Sequence, residues 1–328
     1  MAKPKVYVGR KVHEAALARL TEHCDVRAWQ AEGRCPDDVL VKEIADVEGF
    51  MGNARWTGEL MDKAPKLRII ANISVGYDNT DVAAATERGI IVTNTPGVLS
   101  DTTADTAFSL MLMVARRFTE ANRFICAGKW QSLGGPASFL GRDVHHATLG
   151  IVGLGRIGSE VAHRALGFHM KVLYYDAVRR EDLEKQHGYR YVDMDTLLRE
   201  SDFVSLHTNL APDTYHLIGA EQFAKMKPTA YLINAGRGQL VDEKALIAAL
   251  REGRIAGAGL DVFEKEPTDP ANPLLQMDNV VALPHIGSAT TATREAMAEL
   301  AADNVVAVLR GQPPLTPVNP EVMGKLKK

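Results

Sequence analysis

Three segments of the chain place ionisable side chains directly after short apolar runs of the kind that form buried strands. Arg237 follows the first run, Glu264 and Glu266 follow the second, and His285 follows the third. In open α/β sheets, functional groups lie at the carboxyl ends of the strands. We therefore expect these four side chains at one edge of a sheet.

Together, these side-chain types could reduce a 2-keto acid. Arg237 lies between two glycines, where its planar guanidinium could bind a carboxylate through two hydrogen bonds. His285 could give a proton to the carbonyl oxygen near neutral pH, although a structural or surface role is the alternative for either residue taken alone. A carboxylate could hold the imidazole, and the residues alone leave both Glu264 and Glu266 open as that partner.

A glycine-rich segment between a β-rich run and a helical pattern indicates a dinucleotide site. Gly153, Gly155 and Gly158 form G-x-G-x-x-G, and Arg156 and Ile157 open the helix. The first glycine permits a tight turn, the second lets backbone approach a pyrophosphate, and the third lets helix and strand pack closely. The phosphates would meet the helix N-terminus. The segment predicts a nicotinamide dinucleotide as cofactor.

Asp176 bears on which dinucleotide the chain binds. It ends the apolar run Lys171 to Tyr175, 18 residues after Gly158, where a carboxylate would bind the ribose hydroxyls of NAD and repel the 2′-phosphate of NADP. Arg179 and Arg180 follow and could instead bind that phosphate. NAD(H) is favoured, and NADP(H) remains possible.

The elements that position these residues form two regions, as expected for 328 residues. Short apolar runs alternate with helical patterns up to about Thr95, and six more runs follow a long helical pattern that begins near Asp101. We predict a substrate domain of residues 1–100 plus 290–328 and a dinucleotide-binding domain of residues 101–289. The six later runs are Leu149–Val152, Lys171–Tyr175, Phe203–Leu206, Ala230–Ile233, Ile255–Leu260 and Val280–Leu283, and they predict a doubly wound parallel sheet.

Composition excludes several function classes. The net charge of −3 gives no basic field for nucleic acid or for an anionic membrane. No apolar run approaches the ~20 residues that span a bilayer, and the N-terminus lacks an apolar signal core. Three cysteines without metal-ligand spacing indicate reduced thiols and no metal site. We expect a cytoplasmic protein.

The motifs together resemble those of the D-isomer-specific 2-hydroxyacid dehydrogenases, and within them the chain is most similar to bacterial glyoxylate/hydroxypyruvate reductases, also described as 2-ketoaldonate reductases. The resemblance covers essentially the whole length, from residues 72–79 through the glycine loop to residues 284–290. It implies an α/β protein of two Rossmann-like domains with doubly wound parallel sheets, the active site in the cleft between them, and a homodimer built on the cofactor domains.

The resemblance also implies roles for single residues. Arg237 would bind the substrate carboxylate together with the N–H groups of Val75 and Gly76. His285 would be the acid/base and Glu266 its partner. The remaining contacts expected with the cofactor come from Thr208, Ala235, Gly236, Asp261, His285 and Gly287.

Two positions depart from the family pattern, and two other functions stay open. Asn209 stands where many relatives carry proline, which bears on the contact at Thr208, and Asp176 stands where similar reductases often lack an acid and prefer NADPH. A short-form D-3-phosphoglycerate dehydrogenase is the main alternative. A non-enzymatic NAD-sensing corepressor is disfavoured because the chain has no disordered extension or basic patch. The substrate depends on loops such as residues 95–101 and 134–142, whose geometry the sequence does not give.

Overall fold

The computed structural model describes residues 2–131 and 139–325. The chain divides into two compact units, one of Met1–Leu99 with Ala289–Lys328 and one of Ser100–Ser288. Each unit is a parallel β-sheet with helices packed on it. Of the expected pocket loop at residues 134–142, residues 134–138 lie outside the described residues.

The first unit contains a five-stranded sheet whose strands are all parallel. The strands are β1 (Lys5–Val8), β2 (Asp25–Ala28), β3 (Gly49–Gly52), β4 (Ile69–Asn72) and β5 (Ile91–Thr93). Their order in the sheet is β2-β1-β3-β4-β5, which is doubly wound. The central strands β3 and β4 are buried along their whole length, as parallel strands covered on both faces must be.

Helices cover the sheet of the first unit. They are α1 (Glu14–His23), α2 (Asp37–Glu43), α3 (Gly58–Asp62), α4 (Val82–Glu87) and α12 (Thr291–Leu309), the last numbered by its place in the chain. Leu40, Met61 and Ala85 from α2, α3 and α4 share one core cluster with Phe50 and Ile70 of the sheet. The C-terminal α12 packs against α1, β3 and β4. The first unit is therefore built from both ends of the chain.

The second unit contains a seven-stranded parallel sheet. Its strands are β6 (Thr148–Val152), β7 (Lys171–Tyr175), β8 (Arg190–Tyr191), β9 (Phe203–Leu206), β10 (Tyr231–Asn234), β11 (Gly257–Leu260) and β12 (Val280–Ala282). The order β12-β11-β10-β9-β6-β7-β8 reverses between β6 and β9. In such a sheet, ligands bind at the carboxyl edge near this reversal.

Two core clusters lie on the two faces of this sheet. Along β10, Tyr231 and Ile233 belong to one cluster and Leu232 to the other, as the alternation of side chains along a strand requires. The first cluster includes residues of α5 (Ser100–Ala115) and α7 (Arg156–Leu166), and the second includes residues of α9 (Met194–Glu200), α10 (Ala220–Lys225) and α11 (Glu243–Arg251). The remaining helices of the unit are α6 (Phe118–Cys126) and α8 (Glu181–His187).

Three local features differ from the sequence expectations. β2 and the two-residue β8 are additional strands; both lie at a sheet edge, and neither contains a buried residue or a continuous apolar run. The helix α5 begins at Ser100, one residue before the Asp101 near which the sequence places its start.

Candidate functional site

The turn between β6 and α7 requires glycine at two positions. Gly153 has a φ of +93°, a conformation that glycine adopts at little steric cost. A Cβ atom on Gly153 would lie 2.7 Å from the amide nitrogen of Thr208, and a Cβ atom on Gly158 would lie 2.0 Å from the carbonyl oxygen of Gly153. Strand, turn and helix therefore pack too closely for a side chain at either position.

Gly155 has a different reason to lack a side chain. It is the N-cap of α7, and a Cβ atom there would meet nothing within 4 Å. Packing does not demand glycine here, but a side chain would fill the open space beside the first helical turn. The N–H groups of Arg156 and Ile157 open that turn, where an α-helix lacks intrahelical acceptors and carries its positive end. This cradle fits the pyrophosphate of a dinucleotide.

Asp176 lies at the carboxyl end of β7, and its carboxylate is fixed against the glycine loop. Oδ2 accepts a hydrogen bond from the N–H of Leu154 at 2.6 Å, and Oδ1 accepts one from the N–H of Val178 at 3.1 Å. Each carboxylate oxygen has lone pairs for a second donor. The side chain is thus held beside the predicted phosphate site, as a ribose-binding carboxylate would be.

The two arginines after Asp176 have different partners. Arg179 donates from Nε and Nη2 to both carboxylate oxygens of Glu184, each at 2.8 Å, and this hydrogen bonding raises the pKa of Arg179. Arg180 donates to both oxygens of Asp182 and, from Nη1, to the carbonyl of Leu154 at 3.2 Å. Only Arg180 of these two therefore contacts the glycine loop.

The segment after β9 borders the same loop. The N–H of His207 donates to the carbonyl of Val152 at 2.8 Å, and His207 Nε2 lies 2.8 Å from the hydroxyl of Ser205. Burial lowers the pKa of His207 to about 4, so the imidazole is neutral near pH 7. Thr208, expected to contact the cofactor, follows directly and has its backbone nitrogen against Gly153.

His285 and Glu266 form a hydrogen-bonded pair. His285 Nδ1 lies 2.7 Å from Glu266 Oε2, and Glu266 Oε1 accepts a hydrogen bond from the N–H of Phe263 at 3.0 Å. Burial alone would raise the pKa of Glu266, but the hydrogen bond and charge of His285 outweigh it and lower the pKa. Glu264, the other acid that the residues left open, contacts His216 instead.

His285 lies in a backbone conformation that few non-glycine residues adopt, with a φ of +54°. Asp261, at the carboxyl end of β11, holds this segment. Its two carboxylate oxygens accept the N–H groups of Ile286 and Gly287 at 2.8 and 2.7 Å, and its carbonyl accepts the N–H of His285 at 2.8 Å. Burial raises the pKa of Asp261. Its expected contact with the nicotinamide carboxamide stays a prediction.

Arg237 lies on the turn after β10, and a buried asparagine shapes that turn. Asn234 is 1% exposed, donates from Nδ2 to the carbonyl of Arg237 at 2.8 Å, and accepts the N–H of Gly236 at 3.1 Å. Ala235 and Gly236, expected to contact the cofactor, form the start of this turn. The charge of Arg237 contributes to lowering the pKa of Glu266. Arg237, Glu266 and His285 thus follow three neighbouring strands, β10, β11 and β12.

Val75 and Gly76 lie in the first unit, on the loop after β4. Their carbonyls are held from within that unit, since Asn94 Nδ2 donates to Val75 at 2.8 Å and Ser74 Oγ donates to Gly76 at 2.6 Å. The carbonyl of Ser74 accepts the N–H of Thr95 at 2.9 Å. These bonds fix the peptide planes of the loop and leave its N–H groups for the expected carboxylate.

Comparisons with known proteins identify the family of the chain. The family model described as "D-isomer specific 2-hydroxyacid dehydrogenase, NAD binding domain" matches residues 108–287. The chain belongs to the D-isomer specific 2-hydroxyacid dehydrogenases. It is 51% identical over 323 residues to a glyoxylate reductase of Korarchaeum cryptofilum, covering 98% of this chain and 97% of that one. It is 48% identical over 331 residues to a glyoxylate reductase of Pyrococcus horikoshii, covering 99% and 98%.

The fold of this dehydrogenase is similar to that of a solved structure of a glyoxylate/hydroxypyruvate reductase. The NADPH-dependent glyoxylate/hydroxypyruvate reductase of Sinorhizobium meliloti, in complex with NADP and malonate, has a TM-score of 0.87 and 37% sequence identity, covering 97% of each chain. The α/β fold and the family expected from the sequence are confirmed. This chain is accordingly an NAD(P)-dependent oxidoreductase that interconverts 2-keto and 2-hydroxy acids.

Sequence reasoning assigned no role to several polar residues that form hydrogen bonds close in sequence to the predicted site residues of this dehydrogenase. They are Ser205, His216, Asn234 and Gln239. The signal at Asn234 is an amide closing an apolar run, because a buried polar side chain must find hydrogen-bond partners. Over residues 2–131 and 139–325, no group of three metal-ligating side chains is arranged to hold a metal ion. Within the same ranges, no helix has the length and apolar character needed to cross a bilayer.

Proposed function

We propose that this dehydrogenase reduces glyoxylate and hydroxypyruvate to D-2-hydroxy acids, with NADH favoured over NADPH and with His285, Glu266 and Arg237 as the reacting and binding side chains. The observation that carries the assignment is the 2.7 Å contact between His285 Nδ1 and the Glu266 carboxylate. Relatives that share 48–51% identity over nearly their whole length are glyoxylate reductases, which supports the substrate class.

His285 supplies the proton of the reduction. A dinucleotide held by the glycine loop and Asp176 would supply the hydride for C2 of the keto acid. Because Nδ1 is engaged by Glu266, Nε2 is the nitrogen of His285 that delivers a proton to the carbonyl oxygen as its C=O π bond breaks. Glu266 stabilises the imidazolium before transfer, and the reverse reaction returns the proton to the same nitrogen.

Arg237 binds the substrate carboxylate in this proposal. A guanidinium donates two parallel hydrogen bonds to a carboxylate and fixes its plane. This orientation sets C2 in place for hydride addition and contributes to rate through positioning. The N–H groups of Val75 and Gly76, in the first unit, stay a predicted contact for a carboxylate. The side chain of Asn234 stabilises the turn that carries Arg237 through its hydrogen bonds to Gly236 and Arg237.

A substrate panel tests the proposal. Glyoxylate, hydroxypyruvate, pyruvate, 2-ketogluconate and 3-phosphohydroxypyruvate are each assayed with NADH and NADPH. We expect the highest kcat/KM for glyoxylate or hydroxypyruvate, and roughly a hundredfold loss of kcat in His285→Ala with cofactor affinity retained. A preference for 3-phosphohydroxypyruvate would show a phosphoglycerate dehydrogenase instead, and no turnover with any keto acid would contradict the proposal.

We also propose that the protein works as a homodimer formed through an α6 surface. This surface consists of Phe118, Ile125, Trp130 and Leu140, which are 49%, 48%, 51% and 80% exposed. No residue of α6 is buried within the chain. Phe118 and Ile125 lie seven residues apart on α6 and therefore on one face of the helix, and exposed apolar side chains on one face are typical of interfaces. Ile125→Glu should turn a dimer into a monomer in sedimentation experiments, whereas an unchanged mass, or a wild-type monomer, would refute this interface.

A cytoplasmic location and the absence of a nucleic-acid partner belong to the same proposal. Cys24, Cys35 and Cys126 are free thiols, of which the first two are buried, and free thiols persist in reducing compartments. The net charge of −3 gives no electrostatic attraction to phosphate backbones. Cell fractionation and a salt-dependent DNA-binding assay check the two expectations.

A further inference from the structure

A second histidine–carboxylate pair lies next to the one proposed for catalysis. His216 Nε2 is 2.5 Å from Glu264 Oε1, and each side chain is 30% exposed. Glu264 precedes Glu266 by two residues. The loop after β11 therefore presents its two acids to two different histidines.

Gln239 connects this pair to the segment that carries Arg237. The N–H of His216 donates to the carbonyl of Gln239 at 2.8 Å, and Gln239 Nε2 donates to the carbonyl of Glu264 at 2.7 Å. With the His216–Glu264 contact, these bonds close a ring of three residues. Gln239 follows Arg237 by two residues, so the ring joins the segments of Arg237 and Glu266.

Packing between the same two segments is very tight. A Cβ atom on Gly238 would lie 1.9 Å from the carbonyl carbon of Phe263 and 2.4 Å from the nitrogen of Glu264. The N–H of Glu264 is held as well, donating to Glu243 Oε2 at 3.2 Å. Glu243 is itself anchored, because its Oε1 accepts a hydrogen bond from Asn272 at 2.8 Å. The Glu264 peptide is fixed on both sides.

We propose that His216, Gln239 and Glu264 are positioning residues for the reduction, and that their ring sets the distance between Arg237 and the Glu266–His285 pair. The inference rests on the proposed function. Arg237 and Glu266 lie on separate loops after β10 and β11, and catalytic groups must be held to about 0.5 Å to act together. The hydrogen bonds of the ring hold the two loops at a fixed separation. The three residues of the ring need not contact the substrate to do this.

Two substitutions test the ring by different routes. Glu264→Gln removes a carboxylate, whereas His216→Gln removes its partner and leaves the carboxylate charge in place. Glu200→Gln is the matched control, because Glu200 forms an ion pair with Arg190 in the same unit at 3.1 Å, with its side chain 49% exposed. For each variant, kcat, both KM values, the pH profile of kcat/KM and the Tm are measured with the best keto acid.

We expect both ring variants to lose about tenfold in kcat/KM for the keto acid while the KM for the nicotinamide cofactor changes less than twofold. Both pH profiles should move to lower pH, because a displaced Glu266 stabilises the imidazolium less well. A purely electrostatic effect would not give this shift in His216→Gln, where the carboxylate charge remains. The double variant should be no worse than either single one, as for residues that act as a unit.

Two outcomes would overturn the inference. One is a kcat/KM within twofold of wild type in both ring variants, as we expect for Glu200→Gln. The other is a loss of activity that follows the fall in Tm with no change in the pH profile, which would make the ring a stabilising contact only. A wild-type enzyme that turns over no keto acid would instead contradict the proposed function, so the two failures are distinct.

Discussion

At the scale of single residues, Glu266 is constrained from two directions. One carboxylate oxygen accepts the N–H of Phe263 within its own loop, and the other contacts Nδ1 of His285. The backbone bond fixes where the carboxylate lies, and this in turn fixes the imidazole ring and its free nitrogen. The lowered pKa of Glu266 means that the carboxylate stays ionised throughout the range in which the enzyme would work.

Glu266→Gln should move the pH dependence of keto-acid reduction to lower pH. Reduction needs the protonated imidazole, so the rate falls as pH rises through the apparent pKa of the profile. Loss of the neighbouring anion destabilises the protonated form, and the fall should begin about one pH unit earlier. The measurement is kcat/KM between pH 5 and 9. An unchanged profile would separate Glu266 from the proton transfer.

Asp176→Ala should move cofactor preference toward NADPH. Its carboxylate is held beside the glycine loop by the N–H groups of Leu154 and Val178, where it would accept ribose hydroxyls and repel a 2′-phosphate. Arg180 already contacts that loop and could bind the phosphate once the carboxylate is removed. The ratio of kcat/KM for NADPH and NADH should rise roughly five- to 150-fold, corresponding to about 1–3 kcal/mol.

Arg179→Ala is the matched control for that cofactor measurement. Arg179 is bound to Glu184 through both carboxylate oxygens, away from the glycine loop. The ratio should stay within twofold of wild type. A ratio that is unchanged in Asp176→Ala would show that this carboxylate does not face the ribose.

The role of a site residue was predictable from the sequence where its side-chain type serves few functions. The role was ambiguous where two residues of the same type lie close together in the sequence. Glu264 and Glu266 could be distinguished only by a family resemblance, because the stretch after β11 is a loop and has no strand alternation. In the structure each acid contacts its own histidine. His216 itself gave no signal, since its partner is 48 residues away in the sequence.

At the scale of elements, the strand–turn–helix unit around the glycine loop is held by contact between backbone atoms. The carbonyl of Gly153 occupies the place that a Cβ on Gly158 would need. The helix α7 can therefore approach β6 only while residue 158 lacks a side chain. This approach also aims the N-terminus of α7 at the predicted phosphate site.

Gly158→Ala should weaken dinucleotide binding more than it weakens the fold. A Cβ on residue 158 would lie only 2.0 Å from the carbonyl oxygen of Gly153, so α7 or the turn must move. The N–H groups at the start of α7, which are predicted to bind the phosphates, would move with it. We expect the Kd for the preferred dinucleotide to rise about tenfold or more in fluorescence titrations. Gly167→Ala, at the C-cap of the same helix, where φ is −63° and the atom nearest to a Cβ would be 3.5 Å away, is the matched control. Equal affinity in Gly158→Ala and wild type would contradict the packing argument.

Central elements were predictable because burial on two faces leaves a continuous apolar run, as in β4 and β10. The edge strands β2 and β8 were not, because both carry polar residues and neither has a buried residue, whereas the edge strands β5 and β12 are apolar and largely buried. The start of α5 lies one residue before the predicted Asp101, because Ser100 and Asp101 both fit the polar N-terminal positions of a helix.

At the scale of the whole molecule, two buried asparagines hold the C-terminal tail, the residues after α12, within the first unit. Asn319 is 1% exposed, accepts the N–H of Val92 at 2.8 Å and donates to the carbonyl of Ile90 at 2.9 Å. Asn304, on α12, accepts the N–H groups of Leu315 and Thr316 at 2.8 and 3.1 Å. Asn319 thus joins the tail to β5 beside the backbone bond from the N–H of Val318 to the carbonyl of Val92, and Asn304 joins the tail to α12.

Asn319→Ala should destabilise the protein by about 1–3 kcal/mol, because the N–H of Val92 and the carbonyl of Ile90 would lose a buried partner. Urea unfolding followed by circular dichroism measures the loss, with Asn209→Ala, an exposed position, as control. If the two variants have the same midpoint, the tail contributes no stability through this side chain.

The course of the chain through its two units has a consequence for synthesis on the ribosome. Residues 100–288 form a continuous unit that can fold as soon as it has emerged, whereas β3 and β4 need α12, which follows it. At 5–20 residues per second, the roughly 190 intervening residues take about 10–40 s to make. Throughout that interval the nascent sheet exposes the apolar face that Val305 and Leu309 later cover. The earliest translated part of this enzyme is thus the last to be completed, and its sheet stays partly uncovered until α12 has been made.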